Sequence, residues 1–111
     1  MQIHEQQKGA VTVVRPSGPL TQSDADALKS RMLHVHTASL GRFVLDASAM
    51  PYIDSRGLEV LVETNETLMQ SGQSLKICAA NDTLREVLHL TELTPLFEYF
   101  EDANAAARSF L

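Results

Sequence analysis

The chain has one cysteine, Cys78, so no disulfide can form within its 111 residues, and a reducing cytoplasm is the expected setting. No apolar run approaches the roughly 20 residues that span a bilayer, so no direct membrane insertion is expected. Met1-Gln2-Ile3-His4-Glu5 has no basic cluster followed by an apolar core, the mark of a signal peptide. Basic residues are the minority, 9 Lys and Arg against 14 Asp and Glu, for a formal charge of −5. A nucleic-acid binder carries a basic patch; this balance points instead to protein partners. His4, His34, His36 and His89 are scattered and Cys78 stands alone, so neither a metal site nor a cofactor is expected. There is no Walker A loop or dinucleotide fingerprint, and no Pro- or Gly-rich linker.

What is present suffices for one hydrophobic core in a single domain over 1–111, with 44% of residues apolar. Residues 2–7 predict a polar edge strand, Lys8-Gly9 a turn, and Ala10-Val11-Thr12-Val13-Val14 a β-branched strand that pairs with the first as a hairpin. Pro16-Ser17-Gly18-Pro19 should then break the chain, with no regular element crossing it. Ser23 with Asp26 has the spacing of a capping box, opening a helix with Ala25, Leu28, Met32 and Val35 on one face and Gly41 beyond its end. Leu75, Ile77 and Ala79 alternate with Lys76 and Cys78 as a strand. Asn81 caps a short helix through Leu84, Val87 and Leu88, and Leu93 to Phe100, which holds Pro95, contributes a short edge strand. Asp102 caps a last helix with Ala103, Ala106, Ala107 and Phe110 on one face. Strands alternating with helices predict an α/β fold with parallel neighbours, made mixed by the opening hairpin.

The stretch that organises the rest is 43–58. Phe43-Val44-Leu45 reads as a strand buried on both faces, ended by Asp46. A loop with Pro51 leads to Asp54-Ser55-Arg56-Gly57, and from Leu58 the apolar residues recur at helical spacing through Leu61, Val62, Leu68 and Met69, until Ser71-Gly72. Ser55 therefore sits where a loop becomes a helix. The first N–H groups there lack partners and the helix dipole is positive, so an anionic group on Ser55 would be stabilised. On the bare pattern, Asp54 and Ser55 read first as ordinary N-cap residues, and it is the resemblance below that points further. Glu59, Glu63 and Glu66 form a solvated stripe that also neighbours Ser55 as a partner surface. A serine hydrolase needs small residues two before and two after its nucleophile; only Gly57 fits, since Ile53 holds the other position.

Leu45-Asp46, Tyr52-Ile53 and Asp54-Ser55-Arg56-Gly57-Leu58 match, in order and spacing, the core signature of the STAS domain family, which includes bacterial anti-sigma-factor antagonists. The resemblance implies a single STAS domain over 1–111: a mixed sheet with about four helices, mainly on one face. It implies a non-enzymatic protein that binds an anti-sigma factor of the histidine-kinase-like ATPase fold, is phosphorylated by it on Ser55, and is restored by a protein serine phosphatase. Asp54, Ser55, Arg56, Gly57 and Leu58, with Thr21 and Glu59, would form the partner surface. Within that, Gly57 would allow close backbone approach and Leu58 would anchor the helix. Thr21 stands where many phosphorylated members carry an acidic residue, and Arg56 where small residues are common. STAS domains also serve as unphosphorylated subunits of lipid-transport ABC complexes or as scaffolds in sensory assemblies, and that alternative stays open.

Overall fold

The computed structural model describes residues 1–111. β1 (Gln2–Lys8) and β2 (Val11–Ser17) form an antiparallel hairpin in unbroken register, from Gln2↔Ser17 to Lys8↔Val11. The second strand reaches farther than its sequence suggests, through Pro16 to Ser17. The Thr12 N–H donates to the Arg42 carbonyl, so the even-numbered residues of β2 face the next strand. That strand pairs only as far as Val14, so the N–H that Pro16 lacks would have had no strand partner there.

Helices then carry the chain between parallel strands: α1 (Gln22–Ala38), β3 (Phe43–Asp46), α2 (Ser55–Met69), β4 (Lys76–Cys78), α3 (Asp82–Leu90), a 3-10 turn at Thr94–Leu96, β5 (Glu98–Phe100) and α4 (Ala103–Arg108). The sheet order is β1-β2-β3-β4-β5, with every pair after the hairpin parallel. Because spatial order follows chain order, crossovers of one hand place α1, α2 and α3 on the same face. Ala25, Leu28, Met32 and Val35 of α1 meet Val60, Leu61 and Leu68 of α2, Leu84 and Leu88 of α3, and Val14, Phe43, Leu45 and Ile77 of the sheet. On the other face α4 sets Ala106 against Val11, Val44 and Cys78. Phe43-Val44-Leu45 is thus apolar throughout because alternate side chains enter two different cores.

Three expectations change. The strand read over 75–79 is shorter, Lys76–Cys78: Ala79 lies past it at φ 57°, while Cys78 is packed under α4. No capping box forms at Ser23: α1 begins at Gln22 with Thr21 as N-cap, and Asp26 is paired elsewhere. In α2 the buried face is Gly57, Val60, Leu61, Thr64, Asn65 and Leu68; Met69 is exposed, and Leu58 and Val62 only flank the core. Two of those buried residues are polar, which a hydrophobic pattern cannot flag. Asn65 joins three segments: its Oδ1 accepts from the Leu75 N–H at 2.7 Å and its Nδ2 donates to the Leu96 carbonyl at 3.3 Å.

Asn65→Ala strands the buried Leu75 N–H and should lower stability by about 1–3 kcal/mol, read as a reduced denaturant midpoint. Burial pushes the Cys78 thiol up to about 12. It stays protonated at neutral pH, so a thiol reagent should modify it only as fast as the protein unfolds. Above pH 9 the unfolded chain loses this proton and the folded one keeps it, so stability should fall as pH rises toward 12.

Candidate functional site

The loop after β3 is fixed from several directions. The Asp46 carboxylate accepts from the Ser48 N–H at 2.9 Å, the Ala47 N–H donates to the Cys78 carbonyl, and Asn81 Nδ2 donates to the Pro51 carbonyl at 3.1 Å. Residues 18–20 run alongside: Gly18 N–H to the Ala49 carbonyl, Leu20 N–H to the Tyr52 carbonyl, and Asp54 N–H back to the Leu20 carbonyl, with Leu20 and Ile53 bridged in parallel. Met50 and Ile53 are buried, leaving Tyr52 between them 50% exposed. Asn81 caps α3 as the sequence suggests, through the Leu84 N–H at 2.8 Å, and holds this loop with its other end.

Asp54 is the N-cap of α2, and its carboxylate is used twice. Oδ1 accepts from the Gly57 N–H at 2.8 Å; Oδ2 accepts from the Gln22 N–H, the first of α1, at 2.9 Å. One side chain therefore caps two helices, and Thr21, the positional N-cap of α1, makes no capping bond of its own. Both oxygens of Asp54 are engaged inside the chain, and its own carbonyl takes the Leu58 N–H. Of the four N–H groups that open α2, those of Ser55 and Arg56 are left without a partner. Ser55, the first residue of α2, is exposed.

Gly57 is buried where α2 starts against Leu20 and Ile53. A Cβ there would lie 2.6 Å from Ile53 Cγ1 and 2.7 Å from the Leu20 carbonyl oxygen. Leu58 is half-buried against the main core. Arg56 turns toward α1: its guanidinium meets Asp26 at 2.5 Å, with Glu63 at 3.4 Å and Glu59 at 3.5 Å. Lys29 pairs with Glu63 at 3.1 Å. Donating to the Asp26 carboxylate raises the Arg56 guanidinium above its ordinary value, and the bond from Lys29 lowers the Glu63 carboxyl. Thr21 is half-buried beside this junction, and Glu59 and Glu66 are exposed.

The structure thus brings the seven sequence-named residues to one end of the molecule, at the C-terminal end of β3, but in different roles. Ser55 and Glu59 face outward, Arg56 spans two helices, and Gly57 and Leu58 are packed. Leu20, Gln22, Asp26 and Asn81 complete the junction; the sequence marks Asp26 and Asn81 only as local capping residues and the other two not at all, since each reaches the loop across a gap of about thirty residues. None of the five principal cavities is lined by Asp54, Ser55 or Arg56, so the serine sits on an open surface and not in a pocket.

Glycine in a helix is usually worse than alanine by about 1 kcal/mol. Gly57→Ala should reverse that sign, destabilising the protein by about 1–3 kcal/mol in chemical unfolding, because the added carbon meets backbone and branched side chain.

The fold is shared with solved structures. A candidate anti-sigma factor antagonist from Thermotoga maritima superposes with a TM-score of 0.86 at 20% identity, over 96% of this chain and 92% of that one. An anti-sigma factor antagonist from Mycobacterium paratuberculosis is 26% identical, with a TM-score of 0.82 over 97% of this chain and 92% of that one. The Bacillus cell fate determinant SpoIIAA in its phosphorylated form gives 0.70 at 14% identity, over 97% of this chain and 99% of that one. The STAS domain pattern matches residues 2–106, nearly the whole chain, and with the fold and the Asp-Ser helix start it establishes that this protein belongs to the STAS domain family.

Proposed function

We propose that this chain is an anti-sigma-factor antagonist whose binding to a kinase-type anti-sigma factor is switched by phosphorylation of Ser55. One observation carries the reading: Ser55 stands exposed on the first turn of α2 beside two unpartnered N–H groups, while its acidic neighbour Asp54 is turned inward and neutralised by two helix ends. The similarity to antagonists of this kind, one of them solved in phosphorylated form, supports it. In the reaction, Ser55 Oγ attacks the γ-phosphorus of ATP bound by the kinase. The bond from that phosphorus to the β-phosphate breaks, ADP leaves, and the hydroxyl proton passes to a base on the kinase. A protein serine phosphatase reverses the change by hydrolysis, releasing inorganic phosphate.

The charge added is about −1.5 to −2 at neutral pH. In the free domain the start of α2 offsets part of it, by roughly 0.3–1 kcal/mol, so the fold tolerates it. At a docked interface an unmatched charge costs several kcal/mol, and each 1.4 kcal/mol is tenfold in affinity. Tyr52, a large exposed side chain on the same rim, is the kind of residue that anchors such an interface.

Incubation with the cognate kinase and ATP, followed by mass spectrometry, should place one phosphate on Ser55, and Ser55→Ala should abolish it. A kinase that binds the chain but leaves Ser55 unmodified would overturn the reading and favour a constitutive STAS subunit.

A further inference from the structure

The two residues that flank Ser55 in sequence both end on the start of α1. Asp54 Oδ2 takes the Gln22 N–H at 2.9 Å, and Arg56 Nη2 donates to Asp26 Oδ1 at 2.5 Å. This turn has no cap of its own: the Thr21 hydroxyl lies 3.3 Å from Ser23 Oγ and on no N–H. The first N–H of a helix has no partner inside it, so Gln22 depends on Asp54. Farther along α1 the helix is held differently, by Leu28, Met32 and Val35 in the core and by Lys29 on Glu63. The opening of α1 is thus tied by the two charged side chains on either side of Ser55, with the N-terminal ammonium 3.5 Å from Asp24 as a further contact.

We propose that Asp54 and Arg56 are positioning residues that lock the first turn of α1 to the serine loop, and that negative charge at Ser55 releases this lock. Two effects act in the same direction. A phosphate next to Asp54 repels the carboxylate that caps Gln22. The same phosphate draws on Arg56, whose guanidinium belongs to a cluster in which Asp26, Glu59 and Glu63 share only Arg56 and Lys29. Either movement removes a tie to α1, while Leu28, Met32 and Val35 keep the rest of the helix seated in the core. Phosphorylation would therefore be read by a partner at two places: the charge itself, and a loosened first turn of α1 beside it.

The proposal rests on Ser55 being the regulated position, but its test needs no kinase. Phosphoserine is incorporated at position 55 during synthesis of the full chain, and amide hydrogen exchange is followed by NMR. The Gln22 amide bonds Asp54, and the Asp24 and Ala25 amides bond the Thr21 carbonyl, so all three report on the turn. They should exchange about tenfold faster in the phosphoserine protein, with the α3 amides unchanged. In unmodified protein, Asp54→Asn and Arg56→Ala should each accelerate the same amides, and in the double variant phosphoserine should add little. Unchanged exchange at these three amides in the phosphoserine protein would overturn the proposal, as would acceleration spread equally over α3. Failure of a kinase to modify Ser55 would instead count against the proposed function alone.

Discussion

The close approach of α2 to the segment before α1 is the constraint on which the rest depends. It exists because position 57 has no side chain: one Cβ there would strike both Ile53 and the Leu20 carbonyl. With that contact made, Asp54 lies within reach of two helix starts and caps both. Its charge is then spent inward on Gly57 and Gln22. Ser55, next in the chain, is left outward with free N–H groups beside it. The sequence Asp-Ser-x-Gly is thus one mechanical unit: glycine sets the distance, aspartate fixes the angle, and serine is presented.

Much of this is legible in the sequence. The central strand, the α1 face of Ala25, Leu28, Met32 and Val35, and the caps at Asn81 and Asp102 follow from local pattern and chemistry, and the structure carries them out. Ser55 at a helix start was legible for the same reason. What escaped is non-local. The second bond of Asp54 goes to a residue 32 positions away, and Arg56 meets Asp26 across 30. The helix that covers Cys78 lies far along the chain, so its packing partners Val11, Val44 and Ala106 could not be named locally. Asn65 and Thr64 drew no notice because polar residues enter cores for hydrogen-bonding reasons that periodicity does not encode; Asn65 satisfies the Leu75 N–H there. Proline in β2 escaped because a missing donor matters only if something faces it.

Arg56 gives this chain its own character. A cation beside the serine would ordinarily offset a phosphate. Here it is already drawn toward three carboxylates on α1 and α2, and those carboxylates outnumber the cations that serve them. The local field around Ser55 is therefore acidic on the α1 side and positive only along the axis of α2.

The account separates two free energies: negative charge at position 55 is small for the folded monomer and large for the docked complex. The most direct measurement is a paired one on the phosphoserine-55 protein and the unmodified protein: the unfolding free energy of each alone, and the dissociation constant of each for the cognate anti-sigma factor. The account predicts stabilities within about 1 kcal/mol of each other and at least a hundredfold weaker binding for the modified form. Equal affinities, or a loss of binding that is matched by a loss of fold stability, would contradict it.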